Sequence, residues 1–412
     1  MPKSNPTPLS ARIATMTRRH DNDYPLWQGP CADGPLGGVT QSMLVRFLSC
    51  RERFRLKYIL GLEPHDRWNK NIGYGNMWHA CEEGLASVNT MEPCGRTPLH
   101  DDPTTFWHAC LLDHTQQQLT KYPLQQEEIT KWHKVCHVQF PEYIQYWADH
   151  SDVKNRTPLL QEQVFDVPYS LPSGRLVRLR GKWDSVDLIT DPEQPQGIYL
   201  QENKTKGDID KLQVERQLKF DLQTMLYLIT LERIGDNREF MREIPVSLGG
   251  WPGGADLPIL GVRYNVVRRP LSGGVGNIKP HIAKATKTKV TPAETEAQFY
   301  ERLRRDYIAA DPAHWFFRVR VEISAHDIQV FRETCLDPLL EQICWWYEEI
   351  ILQTGSKSFQ RIDDNPPPMN YRTPFGVYSA LEEGGATEYD AYLSSGSEAG
   401  LRRIETMFTE LQ

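Results

Sequence analysis

The stretch Ile198–Lys204, IYLQENK, constrains the fold of this chain more than any other. Apolar and polar residues alternate before Glu202, Asn203 and Lys204, which is typical of a β-strand that ends in polar residues. Side chains two positions apart on a strand lie on the same face. We therefore expect Glu202 and Lys204 to lie together, while Gln201 and Asn203 face the other way. Taken alone, such an acid–x–lysine triplet more often marks a solvated strand end than a site.

Asp184 favours a site. It lies 18 residues before Glu202, in RGKWDSVDL, within a second strand pattern from Leu176 to Leu188. If these strands are antiparallel neighbours, Asp184 lies beside Glu202. Two carboxylates and Lys204 on adjacent strands are typical of a hard-cation site with a lysine that faces phosphate. Asp187 falls on the opposite face of a regular strand and is not included.

The composition limits the class of protein. A chain of 412 residues, 39% hydrophobic and 25% charged, is typical of one or two soluble globular domains. We find no apolar run of membrane-spanning length and no signal-peptide core, so we expect no membrane association. The eight cysteines show no close-spaced framework, which favours reduced thiols in a cytoplasm. The net charge of −7 argues against a protein that coats nucleic acid over its whole surface, but a local basic face is compatible with it.

Helical patterns dominate the first 150 residues. Residues 1–38 are rich in Pro, Gly, Ser and charge without any period, which predicts a mobile N-terminal arm. A helical pattern begins at Thr40 and a second one near Asn76. Residues 103–150 are rich in Trp and His and form a predicted helical insertion. Two prolines are expected to interrupt it: Pro123 and Pro141.

Strand patterns follow, with a crossover helix predicted over Lys211–Leu231. The predicted strands are Gln163–Pro168, Leu176–Leu188, Ile198–Lys204, Ile259–Val267 and Phe316–Ile323. Helices before, between and after these strands predict an α/β fold with a central mixed β-sheet flanked by helices.

Two capping boxes and a C-terminal extension complete the predicted organisation. Thr291 with Glu294 is expected to cap a helix that begins at Pro292, and Ser324 with Asp327 a long helix to about Leu352. Residues 354–412 form the predicted extension, which is rich in Pro, Gly and Ser until a short amphipathic helix begins at Leu401.

Five short motifs, in order along the chain, resemble those of the PD-(D/E)XK nuclease superfamily and of its RecB-like exonuclease branch from phages and mobile elements. They are SMLVRFLSCRERFRLKYILGL, GNMWHACEEGL, GKWDSVDL, QENK and QTMLYL. The resemblance covers about residues 40–350. It implies a restriction-endonuclease-like core, which we assign to residues 39–353, with a helical N-terminal part.

The resemblance also implies a metal site. His79, Asp184, Glu202 and the backbone carbonyl of Asn203 are its implied ligands, and Lys204 is implied to orient the attacking water. Asp184, Glu202 and Lys204 are thus the predicted catalytic residues. Independently, phosphodiester hydrolysis needs an activated water and charge neutralisation, which one or two divalent ions supply. Oxygen ligands suit Mg²⁺ or Mn²⁺, and the imidazole tilts the preference toward Mn²⁺.

Gln223 and Tyr227 lie four residues apart and share a helix face. The resemblance implies that both contact the DNA backbone, although a polar rim on a packed helix is an almost equal alternative for Tyr227. Glu162, on the preceding strand, is a weak further candidate to support Lys204 or the metal.

A run of basic residues provides a feature that is independent of the resemblance. Between Asp256 and Glu294 the sequence has no acidic residue but seven basic ones: Arg263, Arg268, Arg269, Lys279, Lys284, Lys287 and Lys289. Contact with phosphate is the expected use of such a loop, and the last six residues are the predicted nucleic-acid contacts. A merely solvated loop is the alternative.

Two other cofactors are not expected. Some RecB-like nucleases bind an iron–sulfur cluster through one cysteine after the first helix and three near the C-terminus. Cys50 matches the first position, but residues 365–384 contain no cysteine, so we expect no cluster. His133, Cys136 and His137 have helical spacing for Zn²⁺ but lack a fourth ligand, which favours a structural role.

The predicted function is that of a metal-dependent DNA nuclease, an exonuclease in phage or mobile-element recombination or replication. The expected substrate is single- or double-stranded DNA, and the expected protein partner is a recombination or single-strand-binding protein. The expected location is the cytoplasm of the bacterial host. An endonuclease or nickase and an inactive nucleic-acid-binding protein remain alternatives. The sequence does not predict the polarity of cleavage, the choice between DNA and RNA as the substrate, or the oligomeric state.

Overall fold

The computed structural model describes residues 25–64, 67–89, 103–191, 195–209, 218, 221–235, 258–271, 278–285, 290–352, 400–404, 406–408 and 411. The chain forms two compact units. The first comprises Met1–Asp66, Asp166–Gly181 and Arg332–Gln412, and the second comprises Arg67–Phe165 and Lys182–Phe331. The domain boundaries expected after residues 38 and 353 stay predictions.

Eleven α-helices occur in the described part of the chain. They are α1 (Gln41–Ser49), α2 (Arg51–Phe54), α3 (Lys70–Asn89), α4 (Pro103–Lys121), α5 (Gln126–Trp147), α6 (Ser151–Lys154), α7 (Leu222–Gly235), α8 (Glu296–Arg302), α9 (Pro312–Trp315), α10 (Ala325–Phe331) and α11 (Asp337–Trp345). Shorter helical turns are a 3₁₀ turn at Pro123–Gln125 and π-helical turns at Arg55–Ile59, Leu303–Ile308, Arg332–Leu336 and Trp346–Ile351. None of these helices is both long and apolar enough to span a bilayer.

Ten strands occur in the same described residues. They are β1 (Val39–Thr40), β2 (Leu62–Pro64), β3 (Arg156–Ser170), β4 (Leu176–Ile189), β5 (Gly197–Lys206), β6 (Ile259–Arg268), β7 (Lys284–Ala285), β8 (Val290–Thr291), β9 (Phe316–Glu322) and β10 (Leu401–Arg403).

Six of the described strands form a mixed sheet in the order β1-β4-β5-β6-β9, and β3 pairs with β4. β4 and β5 are antiparallel, β5 and β6 are parallel, and β6 and β9 are antiparallel. The parallel connection from β5 to β6 contains α7, as expected for a crossover. The predicted α/β fold with a central mixed sheet and flanking helices is confirmed.

In the first unit, the segment after residue 24 is packed. Trp27 is fully buried and lies edge-on against Phe54 and Tyr347, with ring centroids 5.3 and 5.0 Å apart. Residues 25–38 of the expected mobile arm are therefore part of this unit, and residues 1–24 lie outside the described residues. Leu401 does not begin a helix, because Leu401–Arg403 pairs as a strand with Leu62–Pro64.

In the second unit, α3, α4 and α5 share one hydrophobic core. Trp78 of α3 lies edge-on to Phe140 and Tyr143 of α5, at 4.9 and 5.2 Å. This packing explains why Pro141 does not interrupt α5, contrary to the prediction. An internal proline costs about 3 kcal/mol, and the buried aromatic residues on both sides of Pro141 compensate for this cost. The interruption predicted at Pro123 is confirmed.

Several predicted helix limits shift. α3 begins at Lys70, six residues before Asn76. The crossover helix begins at Leu222, where the Asp221 carboxylate accepts a hydrogen bond from Thr224 N, whereas residues 211–217 lie outside the described part. The described helix ends at Gly235, four residues beyond the predicted end at Leu231.

Of the two predicted capping boxes, one is confirmed. Asp327 N donates to Ser324 Oγ at 3.1 Å, and Ser324 N donates to the Asp327 carboxylate at 3.0 Å. The box expected at Thr291 and Glu294 is wrong, because Thr295 and Gln298 cap α8 instead. Glu294 is engaged elsewhere: it accepts hydrogen bonds from Arg302 and from the backbone of His281.

Candidate active site

The end of β5 carries an acid and a lysine on one face, as predicted. Lys204 Nζ lies 3.2 Å from Glu202 Oε1. The Glu202 side chain is 1% exposed and that of Lys204 32% exposed. A buried carboxylate thus pairs with a lysine whose side chain is partly exposed.

Antiparallel pairing brings Asp184 to the same place. The β4–β5 register pairs Ser185 with Gln201, so the neighbouring residues Asp184 and Glu202 lie opposite each other. Asp184 Oδ2 accepts a hydrogen bond from the backbone N–H of Asn203 at 2.8 Å. The expected approach of Asp184 and Glu202 is confirmed.

Helix α3 and strand β3 add a histidine and a second carboxylate. His79 Nδ1 lies 3.1 Å from Glu162 Oε1 and 3.6 Å from Asp184 Oδ1. Each of the three side chains offers one ligand atom, and these atoms lie within 4.8 Å of one another: His79, Glu162 and Asp184. Among the described residues, this is the group of three whose geometry suits a metal ion.

Glu162, only a weak candidate in the sequence, is therefore a principal member of the site. Its φ of 47° is in the left-handed region, which non-glycine residues rarely adopt at a cost of about 1–3 kcal/mol. This conformation interrupts the regular alternation of side chains along β3. A period-2 pattern therefore cannot predict where the Glu162 carboxylate points.

The charges in the site perturb one another. Burial and the negative charge of Asp184 raise the pKa of Glu202 to about 8, although Lys204 opposes the rise. Burial lowers the pKa of His79, but the carboxylates of Asp184 and Glu162 outweigh it and raise the value to about 9. Three carboxylates close together make the ionised forms costly unless a cation is added.

The donor set fits a divalent cation. Glu202 Oε2 is buried and, within the described residues, has no hydrogen-bond partner. A buried carboxylate oxygen without a donor is costly, and coordination to a metal would remove that cost. His79, Glu162 and Asp184 could together offer one nitrogen and two oxygen ligands, and Glu202 Oε2 a further oxygen.

Helix α7 holds the lysine in place. Lys204 Nζ donates to Gln223 Oε1 at 2.8 Å, and Gln223 Nε2 donates to Glu202 Oε1 at 2.8 Å. Gln223 therefore bridges two predicted catalytic residues. Tyr227 is 8% exposed and lies edge-on to Phe165, and burial raises its pKa well above the usual range. The predicted DNA contact by Tyr227 stays a prediction.

Lys182 is a further residue that the sequence reasoning missed. Its Nζ lies 2.5 Å from Glu162 Oε2, and its side chain is 37% exposed. It precedes Asp184 by two residues on β4, so the two share a face. The period of the strand is the signal that could have identified it.

The basic run separates into buried, paired and exposed residues. Arg263, which is not among the six predicted contacts, is 1% exposed and forms an ion pair with Asp187 at 2.7 Å. Arg268 is the last residue of β6 and Arg269 follows it. Arg268 Nη1 lies 2.7 Å from Asp208, and Arg269 Nη1 donates to Thr205 O at 2.7 Å. Of the lysines, Lys279 is exposed, while the Lys284 side chain and the whole of Lys287 and Lys289 lie outside the described residues.

The cysteines of the rejected cofactor sites are packed. Cys136 is fully buried, with its Sγ 3.7 Å from Cys81 Sγ, and His133 Nδ1 lies 2.8 Å from Thr115 Oγ1. Cys50 is buried, and its Sγ accepts a hydrogen bond from Arg53 N. Residues 365–384 lie outside the described part of the chain.

Comparison with known proteins gives an independent assignment. The family model of the PD-(D/E)XK nuclease superfamily matches residues 39–313, which is more than half of the chain. No curated protein matches the chain. Nucleases of this superfamily generally use divalent metals, in agreement with the acidic cluster at His79, Glu162 and Asp184. The chain therefore belongs to the PD-(D/E)XK nuclease superfamily, which suggests a metal-dependent nuclease acting on nucleic acid.

Proposed function

We propose that this chain is a metal-dependent DNA exonuclease of the RecB-like branch, which acts in the cytoplasm in phage or mobile-element recombination or replication. The observation that carries the proposal is the convergence of Asp184, Glu202 and Lys204 with His79 and Glu162 within one unit. Superfamily membership and the order of the five sequence motifs support it.

The proposed metal is Mg²⁺ or Mn²⁺, as one or two ions. His79, Glu162, Asp184 and the unpaired Glu202 Oε2 are its proposed ligands, together with the backbone carbonyl of Asn203. Carboxylate oxygens suit Mg²⁺, and the single imidazole favours Mn²⁺. When bound, the cation lowers the pKa of a coordinated water and neutralises charge on the phosphate.

Lys204 is the proposed catalytic cation. Hydrogen bonds to Glu202 and Gln223 hold its amine in a fixed position, while about a third of its side chain remains exposed. A donor fixed in this way needs little reorganisation when negative charge develops on the phosphate. Its proposed roles are to orient the attacking water and to stabilise that charge.

The DNA is proposed to pass over the ends of β5 and β6. Lys182 is partly exposed beside Glu162. Arg268 ends the strand that pairs with the catalytic strand, and Arg269 follows it. The basic residues after Arg269 would contact the phosphates of the same DNA. A recombination or single-strand-binding protein is the proposed partner.

The test is cleavage of end-labelled linear DNA and closed circular DNA with Mg²⁺ or Mn²⁺. Loss of label from linear DNA only supports an exonuclease, whereas cutting of the circle indicates an endonuclease or nickase. If no DNA or RNA is cleaved, the nuclease proposal fails and a nucleic-acid-binding protein is the remaining alternative. Asp184→Asn should abolish cleavage and the thermal stabilisation by Mn²⁺ while the fold persists, and the exposed Asp208→Asn is its control.

A further inference from the structure

The face of the sheet opposite the catalytic residues is buried but polar. Gln201 and Asn203 of β5 are 1% and 5% exposed, and Arg263 and Asn265 of β6 are 1% and 0% exposed. Strands of a helix-covered sheet are normally apolar on such a face. Buried polar groups are costly unless they are hydrogen-bonded, so a connected network is expected there.

Asn265 is the centre of that network. Its Nδ2 lies 2.9 Å from Asn203 Oδ1, 2.9 Å from Glu82 Oε1 and 2.7 Å from Tyr143 Oη. An amide nitrogen carries two hydrogens, so three acceptors share them. Arg318 Nη2 donates to the same Tyr143 hydroxyl at 2.7 Å. Every partner of Asn265 is thus a strong hydrogen-bonding group.

Glu82 is the member that the proposed chemistry does not otherwise use. It is 4% exposed and follows His79 on α3 by three residues, which is about one helical turn. Burial of a carboxylate is costly, so its retention in the core calls for a role. Burial raises the pKa of Tyr143, Arg318 opposes the rise and Glu82 reinforces it, which is consistent with a carboxylate beside the phenol.

A chain of contacts therefore links the two halves of the metal centre. It runs from α3, which carries His79, through Glu82 and Asn265 to Asn203 on β5. Asn203 lies between Glu202 and Lys204, and its backbone N–H bonds to Asp184. A shift of α3 relative to β5 would break the contacts of Asn265 with Glu82 or Asn203.

We propose that Glu82 is a positioning residue: through Asn265, it fixes His79 relative to the Glu202–Lys204 end of β5 and so presets the distances between the metal ligands. This inference rests on the proposed metal-dependent function. Hydrogen-bonding partners one step removed from a metal typically change metal affinity or activity about 10- to 100-fold when they are removed.

The test compares Glu82→Leu with Glu82→Gln. Glutamine retains an oxygen acceptor for Asn265, whereas leucine fills similar space without one. Mn²⁺ affinity, measured by the loss of the free-ion EPR signal without DNA, should fall about 10-fold or more for Glu82→Leu and far less for Glu82→Gln. Glu142→Leu is the matched control, because Glu142 is also buried (9% exposed) but accepts a hydrogen bond from Arg304 of the turn at Leu303–Ile308.

Asn265→Leu breaks the same link from the other side. It should lower Mn²⁺ affinity as Glu82→Leu does, and the double variant should be no worse than either single variant. If a melting experiment shows that Glu82→Leu does not fold, the comparison of the two single variants Asn265→Leu and Glu82→Gln tests the inference instead. Wild-type Mn²⁺ affinity in Glu82→Leu, an equal loss in Glu142→Leu, or fully additive losses would overturn the inference. Failure of the wild-type protein to bind Mn²⁺ would instead refute the proposed function.

Discussion

Two aspartate–arginine pairs in the second unit have the same distance but opposite surroundings. Asp187 Oδ2 lies 2.7 Å from Arg263 Nη2, and both side chains are at most 1% exposed. Asp208 Oδ1 also lies 2.7 Å from Arg268 Nη1, but the Asp208 side chain is 89% exposed. Both arginines belong to β6. Because the distances are equal, the contributions of the two aspartates to stability should differ through burial and through the number of buried partners that each one has.

Asp187→Asn should strongly destabilise the fold. The Asp187 carboxylate also lies 2.7 Å from Arg156 Nε and accepts a hydrogen bond from Ser185 Oγ. The isosteric amide keeps the shape but removes the carboxylate charge that Arg263 and Arg156 face. Loss of one partner of a buried pair costs about 3–5 kcal/mol. Asp208→Asn should cost only about 0–1 kcal/mol, because solvent screens that pair.

The assay is urea unfolding followed by tryptophan fluorescence and circular dichroism. If the free energy of unfolding falls by about 3 kcal/mol per molar urea (the m value), Asp187→Asn should lower the urea midpoint by at least about 1 M. Asp208→Asn should leave the midpoint within about 0.3 M of the wild-type value. Equal midpoints for the two variants would refute the reasoning that burial controls the cost. A changed m for Asp187→Asn would show that the unfolding reaction itself had changed, and the midpoints of the two variants would then be compared by calorimetry.

The remaining predictions concern catalysis, DNA binding and pH. Lys204→Ala should lower single-turnover cleavage about 10²- to 10³-fold while DNA affinity in Ca²⁺ changes little, and equal losses in both would argue for a binding role. Replacing Lys284, Lys287 and Lys289 by alanine should flatten the salt dependence of DNA binding. The log–log slope should fall by up to about one unit for each phosphate that is no longer neutralised, and an unaltered slope would indicate a solvated loop. Burial, with neighbouring imidazoles, lowers the pKa of His133 from 6.5 to about 4, so protonation of the unfolded chain should destabilise the fold as pH falls from about 6.5 to 4. His133→Gln should reduce the difference between the urea midpoints at pH 7 and pH 5, and an undiminished difference would contradict this.

Strand periodicity predicted the part of the site that depends on regular backbone. Glu202 and Lys204 share a face because they are two residues apart, and Asp184 lies opposite Glu202 because the two strands pair in the simplest antiparallel register. Local capping chemistry likewise predicted the helix start at Ser324. Such features depend on residues that are close in sequence or on a period that continues without interruption.

Features that depend on distant partners or on irregular backbone were not predictable in this way. Glu162 reaches His79 from a left-handed backbone conformation that no alternation pattern encodes. By sequence position, Arg263 belongs to the basic run. In the fold it instead bonds to Asp187, which lies 76 residues away along the chain. Pro141 remains inside a helix because of aromatic packing against α3, which local sequence does not reveal.

The two faces of β5 explain how a short strand end can be both charged and rigid. Glu202 and Lys204 on one face interact electrostatically with each other and with any bound ion. On a mobile strand, their distances to the substrate would vary, and the reaction depends on those distances. Asn203 on the other face is held by Asn265, which is fully buried. Hydrogen bonds to a strand are directional, whereas apolar contacts are not, so a polar back face fixes the position of the backbone along its own axis as well as its depth in the core. The cost of burying these polar groups is therefore consistent with a site whose chemistry depends on fixed distances between its ligands.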